Sequence, residues 1–157
     1  MLVKDVMATA IVTVNPKSSF KTIWTTLFHK HINALPVVDD KKRLLGIISK
    51  EDLLQSLYPD YTDMLEFLLS EDDFESMENE MQDMFSRTGK DFMHTGVIIA
   101  YDDTPVMRAL SRMISHRVNQ LPVLTRDNEV IGMVTKGDIF SALFRKHVRR
   151  ISRKKTK

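Results

Sequence analysis

Phe20, Ile23, Trp24, Leu27 and Phe28 recur at i, i+3, i+4, i+7 and i+8, the period of one buried helical face. Before them, Val12-Thr13-Val14 is a short β-prone run. Asn15-Pro16-Lys17-Ser18-Ser19 breaks that run and supplies hydroxyls that can cap a helix. After them, the apolar run Leu35–Val38 predicts a strand. Asp39-Asp40-Lys41-Lys42-Arg43 predicts a polar hairpin turn, and Leu44–Ile48 the returning strand. Ser49 then stands as the N-cap of a helix over Lys50–Leu57, which Tyr58-Pro59 ends. The unit reads β-α-β-β-α.

The same unit occurs again at a fixed offset of 86 residues. Lys4-Asp5-Val6-Met7 returns as Lys90-Asp91-Phe92-Met93, Asn33-Ala34-Leu35-Pro36-Val37-Val38 as Asn119-Gln120-Leu121-Pro122-Val123-Leu124, and Gly46–Asp52 as Gly132–Asp138. The helical face returns as Val106, Ala109, Leu110, Met113 and Ile114. Residues 4–57 and 90–143 are identical at 12 of 54 positions with no insertion between the copies. A repeat of this length is a structural unit. The expected fold is α+β, two β-α-β-β-α repeats in a pseudo-twofold pair, divided as 1–57 (first repeat), 58–88 (insert), 89–144 (second repeat) and 145–157 (tail).

The insert has its own periodicity. Phe74, Met77, Met81 and Met84 lie at helical spacing with Phe85 extending the stripe, and Tyr61, Met64, Leu65 and Leu68 form another. One or two amphipathic helices are expected, packing on the repeats or presenting a methionine-rich partner surface. Charge adds to this picture. Residues 58–86 carry ten acids and no base, whereas 145–157 carry eight Lys or Arg and no acid. The overall charge of +2 therefore joins a basic tail to a body of about −6, which suggests a contact made by the tail alone. Of the 157 residues, 43% are hydrophobic, enough for one sizeable core or two small ones in contact. No apolar run approaches a membrane span, the N-terminus lacks a signal pattern, and cysteine is absent. A soluble, cytoplasmic protein is the expectation.

In both copies a strand with an internal glycine ends in Ser/Thr-x-x-Asp and runs into a helix: Gly46…Ser49…Asp52 and Gly132…Thr135…Asp138. The hydroxyl falls at the helix N-cap, where free N–H groups and the helix dipole favour an anion. The carboxylate lies in the first turn and can accept hydrogen bonds from a vicinal diol such as a ribose. The same spacing is also an ordinary capping box, so both readings stand at this point. His29, His31, His94, His116 and His147 show no metal-ligand spacing and are expected at the surface or at a pocket edge. No phosphate-binding glycine loop, nucleophile elbow or reactive cysteine is present. No catalytic and no metal-ligating residue is expected, and the chain does not read as an enzyme.

Asp5-Val6-Met7, Leu35-Pro36-Val37-Val38-Asp39 and Leu45-Gly46-Ile47-Ile48-Ser49-Lys50-Glu51-Asp52-Leu53, each matched in the second copy, resemble the cystathionine-β-synthase (CBS) domain. A tandem pair resembles a Bateman module, whose cleft takes adenosine-containing ligands such as AMP, ADP, ATP or S-adenosylmethionine. The resemblance implies that Asp52 and Asp138 hold ribose hydroxyls and that Ser49 and Thr135 contact ribose or phosphate. It implies that Thr9, Ala10 and Ile11, and Thr95, Gly96 and Val97, line the adenine pocket, with Ile32 and Asn33, and Val118 and Asn119, nearby. It further implies a regulatory ligand, no classical cofactor, and a homodimer.

The two sites are not equivalent. Arg117 and Gly137 in the second copy stand where the first has His31 and Glu51. The second site is therefore expected to bind the more phosphorylated ligand, although Arg117 also fits as a solvated helix-end charge. The leading expectation is a stand-alone regulatory module that signals by conformational change. The alternatives are a nucleic-acid-associated protein using the basic tail, through salt-dependent phosphate contacts, and a structural dimerisation module with vestigial pockets.

Overall fold

The computed structural model describes the backbone of residues 1–57 and 71–154, and the side chains of residues 1–57 and 78–148. The described elements make a mixed α+β fold with two small sheets. The chain forms two compact units, Val12–Val97 and Met1–Ile11 with Ile98–Lys157. Sequence repeats and compact units thus divide the chain differently: the first eleven residues belong with the second repeat.

In the Val12–Val97 unit, α1 (Phe20–His29) begins where the Ser19 hydroxyl accepts the Thr22 N–H at 3.3 Å. Phe20, Ile23 and Leu27 are buried on its inner face. The expected face is wider than the observed one. Trp24 is 37% exposed, and it stacks on the ring of Phe28 with centroids 5.3 Å apart. β1 (Ala34–Val38) is buried throughout and pairs antiparallel with β2 (Leu44–Ser49). The turn between them is held by Asp39, whose Oδ1 accepts the N–H groups of Lys41 and Arg43 at 2.9 Å. These bonds hold the Asp39 carboxyl below its ordinary range, with the Arg43 backbone N–H the main cause. Of the β-prone Val12–Val14 run, Val14 makes one parallel bridge, to Val37. α2 (Lys50–Gln55) follows β2 directly.

The expected helical insert contains α3 (Glu71–Met84). Met84 enters the core with Phe20, Leu35, Ile48 and Phe92, while Met81 and Phe85 are exposed. The Tyr61–Leu68 stripe lies outside the described residues. α4 (Gly89–Phe92) is a single turn whose Asp91 accepts the Thr88 N–H at 2.8 Å. That N–H, followed by the Thr88 hydroxyl, lowers the Asp91 pKa. In the other copy Asp5 Oδ2 accepts the Leu2 N–H at 2.8 Å. The aspartate of each Asp-x-Met segment therefore caps its own turn.

The second unit repeats the plan. β3 (Ala100–Tyr101) runs parallel to β4 (Gln120–Leu124), and β4 pairs antiparallel with β5 (Val130–Thr135). α5 (Val106–Ser115) and α6 (Lys136–Lys154) complete it. α6 carries the basic segment as one continuous helix as far as Lys154. Val3, from the far end of the sequence, is fully buried in a core with Ala109, Met113, Leu121, Val134 and Ile139. Ile114, expected on the inner face of α5, is 62% exposed.

Proline explains how the early segments dock. Pro36 sits opposite Ile47 and Pro122 opposite Met133. Proline has no N–H to donate, so each can occupy only a non-hydrogen-bonded position of the ladder. The partner's backbone groups then face outward. Ile47 exchanges both its bonds with His94, at 3.0 and 2.9 Å, and Met133 exchanges both with Ala8, at 2.9 and 2.8 Å. Gly46 and Gly132 leave room for this contact. A Cβ at Gly46 would lie 2.7 Å from the His94 carbonyl oxygen, and one at Gly132 2.9 Å from that of Ala8. Gly46→Ala and Gly132→Ala should each destabilise their unit by about 1–3 kcal/mol, the range for overpacking, as measured by urea denaturation. Gly96→Ala, with nothing within 4 Å of the added carbon, should leave the midpoint essentially unchanged.

Candidate functional site

The strand-to-helix junctions are built alike. At the first, the Ser49 hydroxyl accepts the Asp52 N–H at 3.1 Å, and Asp52 Oδ2 accepts the Ser49 N–H at 2.6 Å and the Ser49 hydroxyl at 2.8 Å. At the second, the Thr135 hydroxyl accepts the Asp138 N–H at 3.0 Å, and Asp138 Oδ2 accepts the Thr135 N–H at 2.9 Å and hydroxyl at 2.7 Å. The capping-box reading is therefore correct for both copies. It uses only Oδ2 of each aspartate.

The remaining expected residues assemble unit by unit. With Ser49 and Asp52 lie Ile32, half-buried against the core, and Asn33, whose carbonyl accepts the Lys50 N–H at 3.0 Å. The segment that joins this unit is Thr95, Gly96 and Val97, not Thr9–Ile11. With Thr135 and Asp138 lie Val118, packed on the second core, and Asn119, whose carbonyl accepts the Lys136 N–H at 3.0 Å. Thr9, Ala10 and Ile11 join that unit. Each post-methionine segment thus falls in the unit that holds the Asp of the other repeat. Thr9, Ala10, Thr95 and Gly96 are exposed, and Ile11 and Val97 half-buried. Within each segment the residue two ahead donates its N–H back, Ile11 to Thr9 at 3.0 Å and Val97 to Thr95 at 2.9 Å.

Arg117 and His31 occupy equivalent positions after α5 and α1, and both adopt the left-handed region, with φ of 56° and 53°. Glycine is the usual residue at such a helix end. Keeping a longer side chain there costs conformational strain. Arg117 is exposed, and its guanidinium has no hydrogen-bond or ion-pair partner among the described residues.

One residue reaches this site that sequence reasoning left at the surface or at a pocket edge, without a role. His94 Nε2 lies 2.5 Å from Asp52 Oδ1. The clue available in the sequence was the position of His94 just after Asp91-Phe92-Met93, where the other copy has Ala8. By contrast, a cavity of about 540 Å³ at the start of α5, with Arg108, Arg112 and Arg126 in its wall, holds none of the expected residues. Two of its three cations are already engaged, Arg126 with Asp103 and Arg112 with the Ile99 carbonyl.

The family profile described as CBS domain matches residues 3–59 and 90–145. The chain belongs to the CBS domain family. It is a tandem CBS pair, similar to an uncharacterized protein, MJ1426, of Methanocaldococcus jannaschii, with 28% identity over 91% of each chain. It is also similar to the CBS domain pair of protein MJ0100 in complex with 5′-methylthioadenosine and S-adenosyl-L-methionine (TM-score 0.71, 26% identity, 93% and 98% of the two chains). A third likeness, to CBSX2 in complex with AMP (TM-score 0.72, 23% identity, 93% and 98% covered), is one of fold. Against a homoserine O-acetyltransferase of Methanohalobium evestigatum the CBS pair spans only 23% of the enzyme's length. Among the described residues, no helix is long and apolar enough to cross a membrane.

Removing either N-cap hydroxyl, by Ser49→Ala or Thr135→Ala, should lower stability by about 0.5–2 kcal/mol, the range for N-cap loss. Chemical denaturation of the two variants checks this.

Proposed function

We propose that this CBS pair is a non-enzymatic regulatory module that binds an adenosine-containing ligand at its Ser/Thr-x-x-Asp junctions. The observation that carries the reading is the Asp138 carboxylate. Its Oδ2 is fixed by Thr135, while its Oδ1 has no hydrogen-bond partner among the described residues. A fixed carboxylate with one free oxygen at a helix start suits a ribose diol. The ligands of the MJ0100 pair and of CBSX2 share one part, adenosine.

AMP, ADP, ATP and S-adenosylmethionine all carry that part. Thr9, Ala10 and Ile11 flank the adenine at the Asp138 site, and Thr95, Gly96 and Val97 at the Asp52 site. Arg117, left-handed and unpaired, supports phosphate binding next to Asn119 and Thr135, so the second unit takes the more phosphorylated ligand. A ligand changes the output only as far as it binds one conformation better than another. The regulated target is a further protein.

The module acts as a homodimer. On α6, Phe140, Phe144 and Val148 are 71%, 64% and 43% exposed at i, i+4 and i+8, and Ile114 and Met107 on α5 are 62% and 57% exposed. Apolar side chains this exposed on neighbouring helices favour burial against a second copy.

Asp138→Ala should weaken AMP binding at its site by roughly tenfold or more, since a hydrogen bond to a charged group contributes about 1.5–3 kcal/mol. Isothermal titration calorimetry checks this, and an unchanged affinity overturns the ribose role. Phe140→Asp combined with Phe144→Asp should convert a dimer to a monomer in sedimentation velocity; a persisting dimer removes this face from the interface.

A further inference from the structure

At equivalent points of the two units the ribose carboxylates differ in one respect. Both use Oδ2 for the helix cap. Asp138 Oδ1 has no partner among the described residues, whereas Asp52 Oδ1 is held by His94 Nε2 at 2.5 Å. The register makes the two positions equivalent. His94 bridges Ile47 as Ala8 bridges Met133, so the position that carries an imidazole in one unit carries only a methyl group in the other.

We propose that His94 is an internal occupant of the Asp52 site, which a ribose must displace before it can bind there. This rests on the reading of Asp52 and Asp138 as ribose carboxylates. The contact is built for exchange. The Asp52 side chain is 12% exposed and fixed by Ser49, whereas the His94 side chain is 66% exposed. Asp52 is the only hydrogen-bond partner of that ring among the described residues. The backbone of His94 stays bonded to Ile47 while the ring is free to swing towards solvent. Ligand must therefore break a charge-assisted contact at Asp52 that is missing at Asp138. The two sites fill in order, Asp138 first and Asp52 only at higher ligand concentration.

The test is calorimetric titration of AMP into the full chain carrying Asp138→Ala, with and without His94→Ala. Alanine is the residue already present at the equivalent Ala8, so the substitution suits the local geometry. Removing His94 should tighten AMP binding at the remaining Asp52 site by roughly three- to tenfold, the range for a partly exposed charge-assisted bond. In an Asp52→Ala background, His94→Ala should leave AMP affinity unchanged. A histidine that merely braces the fold would give the opposite sign, with affinity falling when it is removed. Equal or weaker binding without His94, or no binding in either Asp138→Ala protein when the wild type binds, overturns the inference while leaving the Asp138 site intact. Absence of heat from the wild type with AMP, 5′-methylthioadenosine and S-adenosylmethionine would instead overturn the ligand reading itself, and this inference with it. A second readout needs no variant: the His94 ring proton resonances of the wild type should shift as AMP saturates the second, weaker site, and resonances unmoved at saturation of both sites overturn the displacement.

Discussion

Two pairs of backbone hydrogen bonds organise this molecule. Ile47 with His94 and Met133 with Ala8 each exchange an N–H and a carbonyl across a gap that a glycine keeps open. The geometry follows from proline. Pro36 and Pro122 can sit in the strand only where no ladder bond is asked of them, and that register turns the opposite residue's polar groups outward. Those groups need partners, because a buried unpaired amide or carbonyl is costly. The post-methionine segment supplies them. Once it is docked, Val3 fills one core and Phe92 the other, and the chain after each methionine joins the unit that holds the capped aspartate of the other repeat.

Much of this was legible beforehand. The fixed offset, the two hairpins, the Ser49 and Thr135 caps and the aspartates behind them were readable, because each depends on residues close in sequence. The helical faces were readable only in part. Periodicity marks one side of a helix but not how far the core wraps around it, so Trp24 and Ile114 fell on the wrong side of that limit. The exchange of segments left no trace in residue type. It is made by backbone groups, and two copies at one offset look the same whichever segment docks on which strand. The contact of His94 was hidden for a different reason: it joins two side chains, and its partner Asp52 lies 42 residues away in the chain.

The repetition is close in the backbone and loose in the chemistry. Lys42 and Asn128 in the hairpin turns, and His31 and Arg117 after the first helices, share left-handed conformations at equivalent positions. The frame is thus repeated down to its strained residues, while the side chains it carries differ: an imidazole or a guanidinium after the helix, an imidazole or a methyl beside the carboxylate. Differences of this kind give one architecture two chemically unlike strand-to-helix junctions without altering either core.

The exchanged segments also set an order of assembly. His94 and Ile47 are separated by fewer than fifty residues, whereas Ala8 must find Met133 across about 125. Contacts so distant in sequence form late, because the loop they close carries a larger entropic cost. On the ribosome the Val12–Val97 unit has all its parts once Val97 has emerged. The other unit waits for β5 and α6, and until β5 is made residues 1–11 lack the strand on which they dock. A chain cut short before β5 leaves that opening segment, Val3 included, without the strand on which it docks.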